Sequence, residues 1–236
     1  MKRILYTVFV AGGTGSRMGA GIPKQFLDLN GIPILQRTMT TFLGAVPDMK
    51  VVTVLPRQYF DTWKKLCAVN SFDIPQILVE GGITRFHSVQ NALARIPDGA
   101  VAAIHDGVRP LVSRGLVARM FAGMQDCRAL IPVLPVTDTL KTLDRDASGV
   151  LSTADAPEID RSRIYGAQTP QMFHSEVIKA AYKQPYDVSF TDDASVLRRY
   201  GEPLSYIEGE RLNIKITTPE DLSLARAVLL LGGTVA

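Results

Sequence analysis

The residues best suited to chemistry lie near the start of the chain. Ala11-Gly12-Gly13-Thr14-Gly15-Ser16-Arg17-Met18-Gly19 is followed by Pro23-Lys24-Gln25. Glycines let a backbone approach an anion closely and turn its N–H groups inward. Arg17 and Lys24 bracket the loop with two cations. Phosphoryl transfer requires this pairing, because charge develops on the equatorial oxygens of the phosphorus under attack. Arginine offers a planar fork and lysine a mobile point charge. Walker A is excluded, because the Lys-[Ser/Thr] pair is missing, and the dinucleotide fingerprint fails at Met18. Without the two cations, such a loop would read as a plain strand-to-helix turn.

A second feature is His105-Asp106-Gly107-Val108-Arg109-Pro110. Asp106 closes an apolar run. It is suited either to hold Mg²⁺ through one carboxylate, with phosphates and water completing the octahedron, or to cap a turn. The residues alone leave both open. His105 reads as structural, since no Ser–His–Asp or Cys–His arrangement accompanies it.

Apolar runs alternate with helical patterns around these features. Strands are expected at Ile4–Val10, Val51–Leu55, Ile77–Val79, Val101–Ile104, Ala129–Leu134 and Leu204–Ile207. Helices are expected at Pro33–Leu43, Gln58–Val69, Thr84 to about Ile96, Ser113–Gln125, Ser175–Tyr182, Asp192–Tyr200 and onward from Thr218. Phe86, Val89, Leu93 and Ile96 fall on one helix face toward the core, and Arg85 and Ser88 share another. The alternation predicts an α/β fold with a mostly parallel sheet covered on both faces. Ligands bind such sheets beyond the carboxyl ends of the strands, so the loops after Val10, Val79 and Ile104 are the candidate site.

The rhythm breaks between Thr137 and Ala167. There a polar stretch carries the turn Asp144–Gly149, flanked by Leu140, Thr142, Val150, Leu151, Thr153 and Ile164. This is too long for an ordinary connection. It reads as an inserted β-arm, residues 137–167, within a single domain spanning 1–236, and such arms often pack on a partner subunit.

The chain of 236 residues is 46% hydrophobic and 21% charged, with a formal net charge of +3. These values exclude a disordered tail, and the balance of 26 basic against 23 acidic residues argues against nucleic acid as a partner. No stretch reaches the roughly 18–20 apolar residues of a membrane span. Lys2-Arg3 before Ile4–Ala11 mimics a leader, but no A-x-A cleavage site follows, so a first strand is expected. Cys67 and Cys127 form no C-x-x-C pair, consistent with a reduced, cytoplasmic protein.

Ala11–Met18 followed by Pro23-Lys24-Gln25 resembles the nucleotidylyltransferases of the Rossmann-like, glycosyltransferase-A-like fold. Among them the chain resembles the polyol-phosphate cytidylyltransferases, most closely the 2-C-methyl-D-erythritol 4-phosphate cytidylyltransferase family of non-mevalonate isoprenoid synthesis. The matching segments occur in order: Gly81-Gly82 with Arg85 and Ser88-Val89, His105–Pro110, Asp138-Thr139, Gln168-Thr169-Pro170-Gln171, Thr191-Asp192-Asp193-Ala194 and Asn213-Ile214-Lys215. The resemblance implies that Arg17 and Lys24 stabilise the transition state at the α-phosphate of CTP. Ala11, Gly12, Gly13, Gly81, Gly82 and Ser88 would hold the nucleotide. Asp106, Arg109, Arg161, Thr169, Thr191 and Lys215 would bind the polyol phosphate, and Asp106 would also meet a Mg²⁺ or other divalent cation. It further implies a homodimer joined by the arms, with Arg161 reaching the partner's site. The attacking phosphate is already anionic, so direct in-line displacement of pyrophosphate needs no strong base.

Three features lean toward a sister enzyme, ribitol-5-phosphate cytidylyltransferase: Gly12-Gly13, Gln168–Gln171 and Gly209-Glu210. Gly81–Leu93 and Thr191–Ser195 favour the isoprenoid enzyme. A nucleotide-binding module without catalysis is the other alternative, and the presence of both Arg17 and Lys24 argues against it.

Overall fold

Strands buried on both faces read as near-continuous apolar runs, and the centre of this sheet is built from three of them. They are β1 (Leu5–Val10), β4 (Lys50–Leu55) and β6 (Val101–Asp106). The computed structural model describes residues 3–13 and 22–232. Strands β2 (Asp28–Leu29) and β3 (Ile32–Pro33) form a small separate hairpin before α1 (Ile34–Ala45). Helix α2 (Phe60–Val69), β5 (Gln76–Glu80), α3 (Arg85–Leu93), α4 (Arg114–Gly123) and β7 (Ala129–Pro135) complete the first half. The arm holds β8 (Leu143–Arg145) and β9 (Leu151–Thr153). Then come β10 (Tyr165–Ala167), β11 (Gln171–His174), α5 (Ser175–Ala181), α6 (Asp193–Tyr200), β12 (Ser205–Glu208) and α7 (Pro219–Leu230).

The main sheet runs β10-β7-β11-β6-β1-β4-β5, with β12 also on β7. Pairs β1/β4, β1/β6, β4/β5 and β7/β12 are parallel. Strands β10 and β11 run antiparallel to their neighbours. This is the mostly parallel α/β sheet expected, with two reversed strands that the alternation did not reveal. Helices α1, α2 and α4 pack one face through Leu35, Met39, Phe42, Trp63, Leu116 and Met120. Helices α3, α5 and α6 pack the other through Phe86, Val89, Leu93, Val177, Ile178 and Leu197. A third cluster seats α7 through Leu222 and Ala225 beside Leu29, Ile34 and Ile216.

Local differences have local causes. Pro33 stays extended, with ψ 142°, so α1 starts one residue later than expected. A 3₁₀ turn at Arg57–Tyr59, entered from Pro56, delays α2. Helix α3 ends at Leu93, yet Ile96 remains buried beyond it. In the arm only three residue pairs form the hairpin, which leaves Leu140, Thr142, Val150 and Ile164 outside its strands.

Candidate active site

Strands β1, β5 and β6 deliver three loops to one end of the sheet. Beyond them lies a cavity of about 420 Å³, lined by Ala11–Gly13, Lys24, Gly81, Gly82, Arg85, Ser88, Asp106 and Lys215 among others. This is the carboxyl edge of the parallel strands, where open α/β sheets take ligands. Residues far apart in sequence converge there, from the loops after β1, β5 and β6.

The first loop leaves β1 with the Ala11 N–H donating to the Val54 carbonyl, 3.0 Å away. Gln25 is fully buried, and its side-chain amide donates to the Ala11 carbonyl at 2.7 Å. It therefore ties the glycine loop to the Lys24 turn. No local pattern in the sequence marks Gln25 for this task, because its burial and its bond to Ala11 arise only in the fold. Lys24 Nζ donates to the Ile216 carbonyl at 2.9 Å. Arg17 lies outside the described residues.

The second loop follows β5. The Gly82 N–H donates to Ser88 Oγ at 3.0 Å, and that hydroxyl donates to the Thr84 carbonyl at 2.9 Å. Thr84 caps α3 by accepting from the His87 N–H. A Cβ on Gly82 would sit 2.4 Å from His87 Cβ and 2.9 Å from the His87 carbonyl carbon, so only glycine fits this turn.

The third group gathers on Asp106. Arg109 Nε and Lys215 Nζ each lie 3.2 Å from its Oδ2, and Arg85 Nε lies 4.0 Å from Oδ1. Burial opposes ionisation of this carboxyl, but Arg85, Lys215 and Arg109 outweigh it and hold the group well below the usual carboxylate range. Behind Asp106 runs a hydrogen-bonded chain. The Asp106 N–H donates to Thr169 Oγ1 (3.1 Å), Thr169 meets His105 Nδ1 (3.0 Å), and His105 Nε2 faces the Arg109 carbonyl (3.4 Å). A carbonyl can only accept, which assigns the proton to Nε2 and makes Thr169 the donor to Nδ1. Burial pushes the His105 pKa down to about 3, so the ring is neutral. His105 is thus a strut. Thr169 is buried and its hydroxyl serves this chain rather than lining the cavity. Asn213, also unassigned from sequence, accepts Arg109 Nη1 at its carbonyl (2.7 Å) and donates its amide to the Thr169 carbonyl (2.8 Å).

Two residues named from the resemblance lie elsewhere in this chain. Arg161 is exposed on the arm, with Nη1 donating to the Thr137 carbonyl at 2.8 Å. Thr191 lines a separate groove at the root of the arm, beside Tyr165 and Tyr206. Among the described residues no cluster of three or more His, Cys, Asp or Glu side chains forms a metal cage. No described helix is long and apolar enough to cross a membrane.

A cation-lined cavity between two glycine loops, at the carboxyl edge of a mostly parallel sheet, is suited to an anionic ligand such as a nucleotide, and the family match sets the class as a nucleotidyltransferase. The chain belongs to the 2-C-methyl-D-erythritol 4-phosphate cytidylyltransferase family, whose model matches residues 5–230. It is 44% identical over 222 residues to the enzyme of that name from Bacteroides fragilis, covering 94% of this chain and 98% of the relative. It is also 44% identical over 230 residues to the Porphyromonas gingivalis enzyme, covering 97% and 99%. Among solved structures it is similar to 2-C-methyl-D-erythritol 4-phosphate cytidylyltransferase from Thermus thermophilus, with TM-score 0.71, 30% identity and coverage of 96% and 98%. It is likewise similar to 4-diphosphocytidyl-2C-methyl-D-erythritol synthase from Anaerococcus prevotii, with TM-score 0.77, 26% identity and coverage of 97% of each chain.

These matches do not favour the ribitol-phosphate reading, and the structure gives its signatures another purpose. Gln168 donates to the Glu210 carbonyl (2.8 Å) and accepts the Glu210 N–H (3.1 Å), while Gly209 leaves room for that amide. Glu210 in turn holds Ser113 at the start of α4. The Gln168 and Gly209-Glu210 features therefore fasten the end of the arm to the sheet.

Proposed function

We infer that this chain transfers the CMP group of CTP to 2-C-methyl-D-erythritol 4-phosphate, releasing pyrophosphate, in isoprenoid precursor synthesis. The observation that carries this reading at the level of the site is the convergence of Lys24, Lys215 and Asp106 with both glycine loops on one cavity. A phosphate oxygen of the acceptor attacks the α-phosphorus of CTP in line. A new P–O bond forms as the bond to the bridging oxygen of pyrophosphate breaks, so no proton must move.

The residues divide the work. The loops at Ala11–Gly13 and Gly81–Gly82, with Ser88, seat the nucleotide. Lys24, with Arg17, neutralises charge as it develops at the α-phosphate. Asp106, kept ionised by its three cations, accepts from acceptor hydroxyls, while Lys215 and Arg109 meet the acceptor's anionic end. Thr169 acts through Asp106. Arg161 would serve the acceptor in a second subunit's cavity, and Thr191 would do so only where the groove at the root of the arm meets that cavity in a dimer. The exposed apolar side chains Leu143, Val150, Leu151, Ile159 and Ile164 on the arm of residues 137–167 support such a homodimer. The compartment that fits two free cysteines is the cytoplasm.

A divalent cation, Mg²⁺ in the first instance, would rest mainly on the triphosphate and water, because Asp106 is a single carboxylate whose Oδ2 already meets Arg109 and Lys215. Magnesium binds through one or two carboxylates, with substrate phosphates and water supplying the rest, and Asp106 offers one hard oxygen. When bound it would neutralise triphosphate charge.

The test is ³¹P NMR of the products from CTP, Mg²⁺ and methylerythritol phosphate. The reading expects the paired signals of a cytidine diphosphate diester together with pyrophosphate. CMP with pyrophosphate and no diester would overturn it, since water would then be the acceptor.

A further inference from the structure

Arg85 lines the cavity, yet its position is set from outside. Its Nη1 and Nη2 donate to the two oxygens of Asp193, at 2.9 and 2.6 Å. Asp193 is fully buried at the start of α6, and Tyr182 Oη donates to the same carboxylate at 2.5 Å. The start of α6 is itself pinned by Gln171 of β11. That amide donates to Asp192 Oδ2 (2.7 Å) and accepts the Ala194 N–H (2.9 Å). Only Nε of Arg85 turns toward Asp106, 4.0 Å from Oδ1. Burial disfavours the charge on Arg85, but Asp193 and then Asp106 outweigh that cost and keep it a cation.

We propose that Asp193 is a positioning residue. Its two-pronged grip holds Arg85 back from Asp106, so the Asp106 carboxylate stays available to the acceptor. The proposal rests on the functional reading above.

A planar guanidinium with two free prongs prefers a carboxylate bidentately. Asp106 is a carboxylate already within reach, its Oδ1 4.0 Å from Arg85 Nε. Were Asp193 neutral, Arg85 would turn onto Asp106, which already carries Arg109 and Lys215, and would displace acceptor hydroxyls from it. Neutralising both members of the pair removes the competitor and leaves no unpaired buried charge.

The experiment compares wild type, Asp193→Asn, Arg85→Gln and the double variant. It reads kcat and KM separately for CTP and for methylerythritol phosphate. In Asp193→Asn the acceptor KM should rise about tenfold, the scale of one charge-assisted hydrogen bond, with the CTP KM within about threefold of wild type. The double variant should recover most of that loss in the acceptor KM. Removing both members of a buried ion pair would also restore stability, so urea midpoints are read for all four chains: a raised acceptor KM in Asp193→Asn chains that are folded and as stable as wild type is what a purely structural role would not give. An unchanged acceptor KM in folded Asp193→Asn, or a double variant no better than the single, would overturn the proposal. Should Asp193→Asn fail to fold, Arg85→Lys keeps the cation but cannot bridge both Asp193 oxygens. It should raise the acceptor KM alone, and unchanged constants would overturn the proposal. A wild-type chain without turnover would overturn the functional reading itself, whereas an active wild type with insensitive variants would overturn only the positioning role.

Discussion

Gly82→Ala tests the geometry of the nucleotide loop most sharply. The added methyl would fall 2.4 Å from His87 Cβ, 2.9 Å from the His87 carbonyl carbon and 3.1 Å from the Ser88 nitrogen. Carbon atoms settle about 3.5–4.0 Å apart, so the loop must retreat by roughly 1 Å. That retreat stretches the bond from the Gly82 N–H to Ser88 Oγ, now 3.0 Å, toward about 4 Å, where it is lost. Overpacking of this kind costs about 1–3 kcal/mol of stability. A shift of about 1 Å in a positioning loop can cost about 10²-fold in rate. Steady-state pyrophosphate release should therefore show kcat/KM for CTP about 10²-fold down. Gly166→Ala, on β10 and outside the cavity lining, supplies the control. Its Cβ comes no closer than 4.0 Å, to the Leu134 carbonyl oxygen, so activity should stay within about threefold. Equal activity of the two variants would refute the claim that close packing of the second loop seats the nucleotide.

Lys24→Ala should lower kcat by about 10²–10³-fold with a smaller change in CTP affinity, because its charge acts chiefly as the transition state forms. Loss of CTP binding without loss of kcat, measured by titration and turnover, would contradict that role. Using CTP chiral at an α-phosphorothioate, the product should show inversion at phosphorus, and retention would point to a covalent intermediate. His105 ties stability to pH: its folded pKa is about 3, below the ordinary 6.5, so the unfolded chain takes up a proton first as pH falls. The stabilisation is complete above 6.5 and declines toward 3, by about 2 kcal/mol between pH 6.5 and 5. Urea midpoints at these two pH values should converge in His105→Gln, and an unaltered slope would contradict the assignment. Mixing Arg161→Ala with Lys24→Ala chains should regain activity through hybrid dimers, and none despite subunit exchange would count against a shared site.

Much of this was legible in the sequence because burial on both faces writes itself as continuous apolar runs. Val51–Leu55 and Val101–Ile104 fall inside β4 and β6, and Thr84 caps α3. The three loops that line one cavity follow from the parallel alternation. Strand β11 was not legible, since Gln171-Met172-Phe173-His174 carries only two apolar residues and its pairing with β6 and β7 is antiparallel. The Arg85–Asp193 grip spans 108 residues, and no local pattern announces a pair at that distance. Thr169 was named for the acceptor from its motif. Only the structure shows its hydroxyl spent on Asp106 and His105.

The central claim is tested most directly by kcat/KM for methylerythritol 4-phosphate and for ribitol 5-phosphate, each with saturating CTP and Mg²⁺. The account predicts a clear preference for methylerythritol phosphate, at least the tenfold or more that a methyl-sized contact of about 1–3 kcal/mol provides. Preference for ribitol phosphate would contradict the assigned acceptor, and turnover with neither would contradict the assigned reaction.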